Sequence, residues 1–195
     1  MNPNSDGDSG EPQRRWPWCA GLGTAPRADQ GDWSRYRDVV RAYFGEDAPA
    51  WGLLDISVPN TDESDWQTVI DLIADSGVRS EFFVDHHSAP LPRADAVSSQ
   101  SDSEDGPHLL LRIDRGHLAL NSFLTDSNEI DFDVRANDIA GPEQLGELLG
   151  FMRAVGTLVG KPVVLTGEGD QAVLLRFHPG SGTLEWSVSA DSPAG

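Results

Sequence analysis

The sequence predicts an α+β fold, in which a mostly antiparallel sheet carries about three helices on one of its faces. Two observations predict this class. Segments of alternating polarity outnumber segments with helical periodicity, and short turns join most neighbouring strands, which favours hairpins over crossovers. The predicted order of elements is α-β-α-β-β-β-β-α-β-β-β. The chain of 195 residues is 38% hydrophobic, which suffices for one domain with its own core.

The first half of the chain predicts a helix followed by a strand–helix–strand unit. Asp32 is a candidate N-cap for a helix over residues 33–44, and alternating polarity predicts a strand over residues 51–58. A capping box with Ser64 and Gln67 opens the second helix, and a strand over residues 80–85 follows it. Two strands joined by a helix favour a parallel arrangement. The apolar stripe of the second helix consists of Trp66, Val69, Ile70 and Ile73.

The second half predicts a hairpin, a single strand, a helix and three further strands. Alternating leucine and isoleucine residues form a strand over residues 109–113, and a turn at residues 114–116 leads into the returning strand. The third helix begins at Pro142, because proline is favoured in the first helical turn. The other strands are predicted over residues 129–134, 163–165, 173–177 and 184–188.

Two segments are expected to lie outside the regular elements. Residues 1–31 are predicted to be a flexible N-terminal arm, and residues 32–195 a single α+β domain that contains a mobile loop at residues 86–107. The arm holds Trp16 and Trp18, whose rings are costly to leave in water. They therefore dock either on the chain's own domain or on a partner.

Net charge is the strongest feature that bears on function. The chain has 14 Lys and Arg residues against 32 Asp and Glu residues, a net charge of −18. Nucleic acid is disfavoured as a partner because phosphate contacts need Lys and Arg, and an anionic membrane surface is disfavoured for the same reason. The charge favours a basic protein partner, although solvation of the surface is a sufficient alternative explanation.

The rest of the composition indicates where the protein is located and whether it needs a cofactor. The one cysteine, Cys19, excludes an internal disulfide and a site built on several cysteines. The first thirty residues contain no apolar signal segment, and no run is long enough to span a membrane, so the predicted location is the cytoplasm. A single lysine among the basic residues suggests a bacterial source with a GC-rich genome. No cofactor-binding motif occurs, and we expect no cofactor.

Asp85, His86 and His87 form the motif that points most directly to chemistry. They follow an apolar predicted strand, where α/β enzymes often carry metal ligands. The tripeptide resembles the DHH signature of a phosphoesterase family, in which His and Asp hold catalytic metals. The resemblance covers three residues and implies a metal-dependent hydrolase, with Asp55 of the first strand as a further ligand. The alternative is a polar turn that Asp85 caps, with both histidines half exposed.

A row of acidic residues in the strand over residues 129–134 is the second candidate site. Alternation puts Glu129, Asp131 and Asp133 on one face of the sheet, about 7 Å apart, and Asp126 precedes the strand. Like charges at this spacing repel, so a basic partner would stabilise the row. The alternatives are a solvated face, or cover by the N-terminal arm with its two adjacent arginines.

The sequence contains no convergent set of catalytic residues, so the function that we expect is that of a non-enzymatic acidic binding protein. Its expected form is an inhibitor or immunity-type protein, which covers a basic partner with carboxylates in place of phosphates. Two alternatives stay open, namely the hydrolase centred on Asp85, His86 and His87 and an acidic structural subunit of a larger bacterial assembly. The expected partner-binding residues are Trp16, Trp18, Asp126, Glu129, Asp131 and Asp133.

Overall fold

The computed structural model describes residues 28–44, 52–101, 106–114, 118–124, 128–169 and 172–187. These ranges contain four α-helices and nine strands, with a short 3-10 turn at Ala136–Asp138. The helices are α1 (Gln30–Phe44), α2 (Glu63–Asp75), α3 (Ala94–Ser101) and α4 (Pro142–Val159). The strands are β1 (Leu53–Pro59), β2 (Arg79–Val84), β3 (His87–Ala89), β4 (Leu109–Asp114), β5 (Ala119–Ser122), β6 (Glu129–Arg135), β7 (Val163–Gly167), β8 (Val173–His178) and β9 (Thr183–Trp186).

The strands form one sheet in the order β3-β2-β4-β5-β6-β1-β7-β8-β9, and every neighbouring pair is antiparallel. The α+β class and the broad order of elements are therefore confirmed. Because the pairs alternate in direction, β2 runs parallel to β1, as its helical connection predicted. The two strands are not neighbours, however, since β4, β5 and β6 lie between them.

One face of the sheet packs against helices and forms the core. Phe132 of β6 lies at its centre, with ring centroids 6.3 Å from Trp66 of α2 and 5.1 Å from Phe151 of α4. The predicted apolar stripe of α2 is buried on this face. Gly156 lets α4 approach the sheet closely, because a Cβ atom there would lie 2.6 Å from the Phe177 ring of β8. Burial of these rings, together with the surrounding aliphatic side chains, stabilises the packing of the helices on the sheet.

Helix α1 packs on the same face, at the β7–β9 end of the sheet. A Cβ atom at Gly167 of β7 would overlap the ring of Tyr43, so only glycine lets this ring lie against the strand. At the other end of the helix, Trp186 of β9 donates its indole N–H to Asp32 across 3.3 Å. Burial lowers the pKa of Arg153 of α4, and the charge of Asp32 opposes that effect. The first turn of α1 therefore lies beside β9, an edge strand.

The helix caps differ in part from those that the sequence predicts. Helix α1 begins at Gln30 rather than after Asp32, and Asp29 accepts the amide hydrogen of Asp32 across 2.7 Å. In α2 the capping box consists of Asp62 and Asp65, not of Ser64 and Gln67. Two aspartates three residues apart can cap the first-turn amides as a Ser–Gln pair would. The capping box therefore begins two residues earlier in the chain than predicted, and the predicted start of the box was wrong.

The segment predicted to be a mobile loop, residues 86–107, contains two regular elements. Strand β3 pairs with β2, and α3 packs on α2 through the buried side chains of Ala94 and Val97. Gln67 of α2 accepts the amide hydrogen of Ala94 across 2.9 Å and so ties the start of α3 to the core. Only residues 102–105 of this segment lie outside the described part.

Candidate functional site

The face of the sheet opposite the helices carries the candidate site, and we call it the open face. Along β1 and β6 the alternate residues are buried against the helices, and the residues between them are partly exposed. The intervening side chains are mostly polar and acidic. They are Leu53, Asp55, Ser57 and Pro59 on β1 and Glu129, Asp131, Asp133 and Arg135 on β6.

The register of β1 and β6 brings two carboxyl groups together. Asp55 lies directly opposite Asp133, while Asp131 lies opposite Ser57. Directly opposed residues of an antiparallel pair have Cβ atoms about 5 Å apart, which is within reach for both carboxylates. On the other side of β6, Asn121 of β5 is the cross-strand neighbour of Asp133.

The environment raises the pKa of Asp133 from its ordinary 3.8 to about 6. Burial is the largest cause, followed by the charges of Asp55 and Asp131, a side-chain hydrogen bond to Asp55, and the charge of Glu168. Two carboxyl groups can share a hydrogen bond only if one of them carries a proton. Asp133 therefore holds its proton more tightly than an isolated aspartate does.

All the charges that act on Asp133 are carboxylates, and each of them opposes its ionisation. These carboxylates therefore favour the protonated form of Asp133. A cation placed between Asp55 and Asp133 would favour ionisation of the pair and would gain from both groups. The arrangement can bind a basic side chain, and it can hold or release one proton near pH 6.

The structure sorts the residues of the predicted acidic row into two groups. Glu129, Asp131 and Asp133 share the open face, as the alternation predicted. Asp126 lies outside the described residues, as do Trp16 and Trp18. Sequence reasoning did not connect Asp55 or Glu168 with this row. Because β1 and β6 lie far apart along the chain, local patterns do not reveal that they pair. The available signal for a site on β1 was one acid in a mostly apolar strand.

Asp85 and His86 form the two-residue turn of the β2–β3 hairpin. Their φ angles are 48° and 68°, the left-handed values that a type I′ turn requires, and Val84 pairs with His87 across it. The Asp85 side chain accepts the amide hydrogen of His108 across 2.9 Å. The Nδ1 atom of His87 lies 2.9 Å from the carbonyl oxygen of Asp85 and donates to it.

The structure does not bring the residues of the metal alternative together. Asp55 on β1 is four strand spacings from β2, a separation of about 19 Å at the usual spacing of strands. Within the described ranges, no group of three or more His, Cys, Asp or Glu side chains is arranged to hold a metal ion. Asp85, His86 and His87 therefore have a local explanation as a hairpin turn.

Comparisons with known proteins add no constraint on function, since no family model, curated protein or solved structure matches the chain. Among the helices that the structure describes, none is both long enough and apolar enough to cross a membrane.

Proposed function

We propose that this protein is a non-enzymatic binding protein that engages a basic protein through the open face, in the manner of an inhibitor or immunity protein. The Asp55–Asp133 pair is the observation that carries the proposal. Its two carboxyl groups lie opposite each other, and Asp131 and Glu168 add negative charge to the same place. A guanidinium group brought to this pair would replace mutual repulsion by two charge-assisted hydrogen bonds.

The form of the surface favours a protein partner over a single small cation. The acidic side chains belong to β1, β6 and the residue that follows β7, so they spread over several strands of one sheet. A broad, partly exposed surface of this kind suits the surface of another protein. The net charge of −18 adds a long-range field that accelerates encounter with a basic molecule.

A photo-cross-linking experiment tests the surface before the partner is known. A photoreactive residue at position 121 lies beside Asp133 on the open face, and the same residue at exposed position 75 of α2 serves as the matched control. In the native host we expect capture of a basic protein from position 121 and not from position 75. Capture of the same proteins from both positions would contradict the proposal.

Association kinetics with the purified captured protein test the role of charge. The double variant Asp131→Asn/Asp133→Asn should slow association about tenfold at low salt, and the effect should shrink as salt rises. The control Asp38→Asn/Asp75→Asn removes the same charge from exposed positions of α1 and α2. Equal association rates for the two variants would remove the open face from the interface. Inhibition of an activity of the captured protein would separate an inhibitor from a structural subunit.

A further inference from the structure

We propose that the basic partner packs an apolar side chain on an apolar patch of the open face, next to the arginine that it places on the Asp55–Asp133 pair. The patch consists of Phe83 on β2, Leu110 on β4 and Phe123 just after β5, and we call it the Phe123 patch. The inference rests on the proposed function, because it gives the chemistry of the partner. A basic partner held by charge alone would not need the patch, so the inference can fail separately.

The register of β2, β4 and β5 brings the side chains of the Phe123 patch together. Phe83 pairs with Leu110, and Leu111 pairs with Ser122. Continued by one residue, the register of β4 with β5 places Phe123 opposite Leu110. Directly opposed residues have Cβ atoms about 5 Å apart, so the three side chains form one continuous apolar surface.

The Phe123 patch belongs to the open face and not to the core. Phe82 and Leu111 are buried on the helix side, so alternation directs Phe83 and Leu110 to the other side. Phe83 and Leu110 are partly exposed, and Phe123 is 50% exposed. None of these three side chains belongs to the core or to the partly buried side chains packed against it. Packing of the core therefore does not explain why they are apolar.

The exposure of Phe123 differs in kind from that of Leu158. Among the described residues these are the exposed large hydrophobic side chains, and Leu158 on α4 is 52% exposed. A single exposed leucine on a helix is common and needs no explanation. Phe123 is continued by two further apolar side chains, and an apolar surface bordered by charged groups is typical of a protein interface.

The acidic pair lies close to the Phe123 patch. Asn121 is the neighbour of Asp133 across β5 and β6, and Phe123 follows Asn121 by two residues on the same face. Side chains in this diagonal relation are about 7–8 Å apart. Residues two apart on a strand or four apart on a helix are separated by about 5–7 Å. One regular segment of a partner can therefore place an arginine on the pair and an apolar side chain on the patch.

The charged residues on the two sides of the Phe123 patch differ. On β2 and β4, Arg79 lies 3.2 Å from Glu81 and Arg112 lies 3.8 Å from Asp114, so bases match these acids. On β1 and β6 the acids outnumber the bases, since the open face there carries Asp55, Glu129, Asp131 and Asp133 against Arg135. The surplus of negative charge next to the patch therefore lies on the side of the acidic pair.

This surplus favours a basic partner over a second copy of the chain. Two copies that joined their patches would bring their acidic rows close together, and each copy has a net charge of −18. A partner with an arginine beside an apolar side chain instead makes charge-assisted hydrogen bonds to the pair and buries apolar surface on the patch. Arginine and aromatic side chains are also those that contribute most to binding at protein interfaces.

Peptide titrations of the full-length protein test the inference with a defined probe. The probe is the peptide Gly-Arg-Ser-Trp-Ser-Arg-Gly, and its control has serine in place of the tryptophan. NMR shifts of backbone amides in β2, β4 and β6 report the binding of each peptide. We expect the tryptophan peptide to bind about fivefold more tightly, and to shift amides of β2 and β4 that the serine peptide leaves unchanged.

Two serine variants determine whether the Phe123 patch holds the tryptophan. Phe123→Ser should remove most of the fivefold preference, whereas Leu158→Ser, the same kind of change at a similarly exposed position of α4, should keep it. Both side chains are about half exposed, so neither substitution opens a cavity in the core. Equal affinities of the two peptides for the wild type, or a preference that survives Phe123→Ser, overturns the inference.

Asp131→Asn/Asp133→Asn separates the inference from the proposed function. If both peptides bind the wild type equally and lose affinity in this variant, the acidic face binds a basic partner and only the inference fails. If the tryptophan preference is present but this variant binds both peptides unchanged, the proposed function fails, while the apolar contact with the patch stands. Sedimentation of the wild type and Phe123→Ser should be the same. A dimer that Phe123→Ser dissociates would assign the patch to a second copy and overturn the inference.

Discussion

Asp133 shows how a sheet position changes the chemistry of one side chain. An aspartate on a solvated strand would ionise near its ordinary pKa of 3.8, but burial and neighbouring carboxylates raise the pKa of Asp133 to about 6. The folded state therefore binds this proton more tightly than the unfolded chain does. The contribution of Asp133 to stability is greatest below about pH 4, falls as pH rises to about 6, and remains unfavourable above that pH.

Asp133→Asn should stabilise the protein at neutral pH. The asparagine cannot ionise and still donates a hydrogen bond to Asp55, so it avoids the cost of a second negative charge. For a half-exposed group we expect a gain of about 1 kcal/mol in the free energy of unfolding at pH 7 and almost none near pH 4. Urea denaturation at both pH values measures this, with the exposed Asp75→Asn as control. A variant less stable than the wild type at pH 7 would contradict the assigned environment.

At the scale of elements, the β2–β3 hairpin explains the Asp85–His86–His87 sequence without metal chemistry. Asp85 and His86 both have positive φ angles, which Asn–Gly adopts more readily than Asp–His in a type I′ turn. The sequence suggested a turn only as the alternative reading of this motif. The φ angles depend on the pairing of β3 with β2, and the three-residue strand β3 was too short to be recognised from its pattern.

Substitution of the turn residues distinguishes turn geometry from ligand chemistry. Asp85→Asn/His86→Gly keeps an acceptor for the His108 amide and relieves the left-handed strain, so the free energy of unfolding should stay equal or rise by up to about 1 kcal/mol. His86→Val should lower it by about 1–2 kcal/mol, since a β-branched residue resists positive φ. Chemical denaturation of both variants makes the comparison, and equal losses in both would contradict a type I′ turn.

Helix α4 depends on a glycine to approach the sheet. A methyl group at Gly156 would lie 2.6 Å from the Phe177 ring and 2.9 Å from Val163, so these side chains would have to shift. Gly156→Ala should therefore lower the free energy of unfolding by about 1–3 kcal/mol, although alanine favours the helix by about 1 kcal/mol. The control is Thr157→Ala at the next, exposed position. A stabilised Gly156→Ala protein would show that α4 does not pack this closely.

At the scale of the whole molecule, local patterns and long-range pairing differ in how far the sequence reveals them. Alternation and helical periodicity located most elements, because β6 or α2 shows its own buried face in its own residues. The insertion of β1 between β6 and β7 left no local trace, so the Asp55–Asp133 pair could not be foreseen. Short elements such as β3 and α3 were missed because their stability comes from the partners on which they pack.

The excess of negative charge makes the folded state sensitive to salt as a whole. With a net charge of −18, compaction brings like charges together, and salt screens that repulsion more in the folded state than in the expanded chain. Raising NaCl from about 0.1 M to about 1 M should therefore increase stability, and a gain of about 1 kcal/mol would raise the melting temperature by about 2–4 °C.

Asp131→Asn/Asp133→Asn provides the internal comparison for this effect. The variant removes part of the repulsion on the open face in advance, so its gain from salt should be smaller than that of the wild type. Asp38→Asn/Asp75→Asn removes the same charge from exposed helix positions and should keep most of the gain. Thermal melts at both salt concentrations compare the three proteins. An equal gain in all three would place the dominant repulsion elsewhere on the molecule, away from the acidic pair that the β1–β6 register creates.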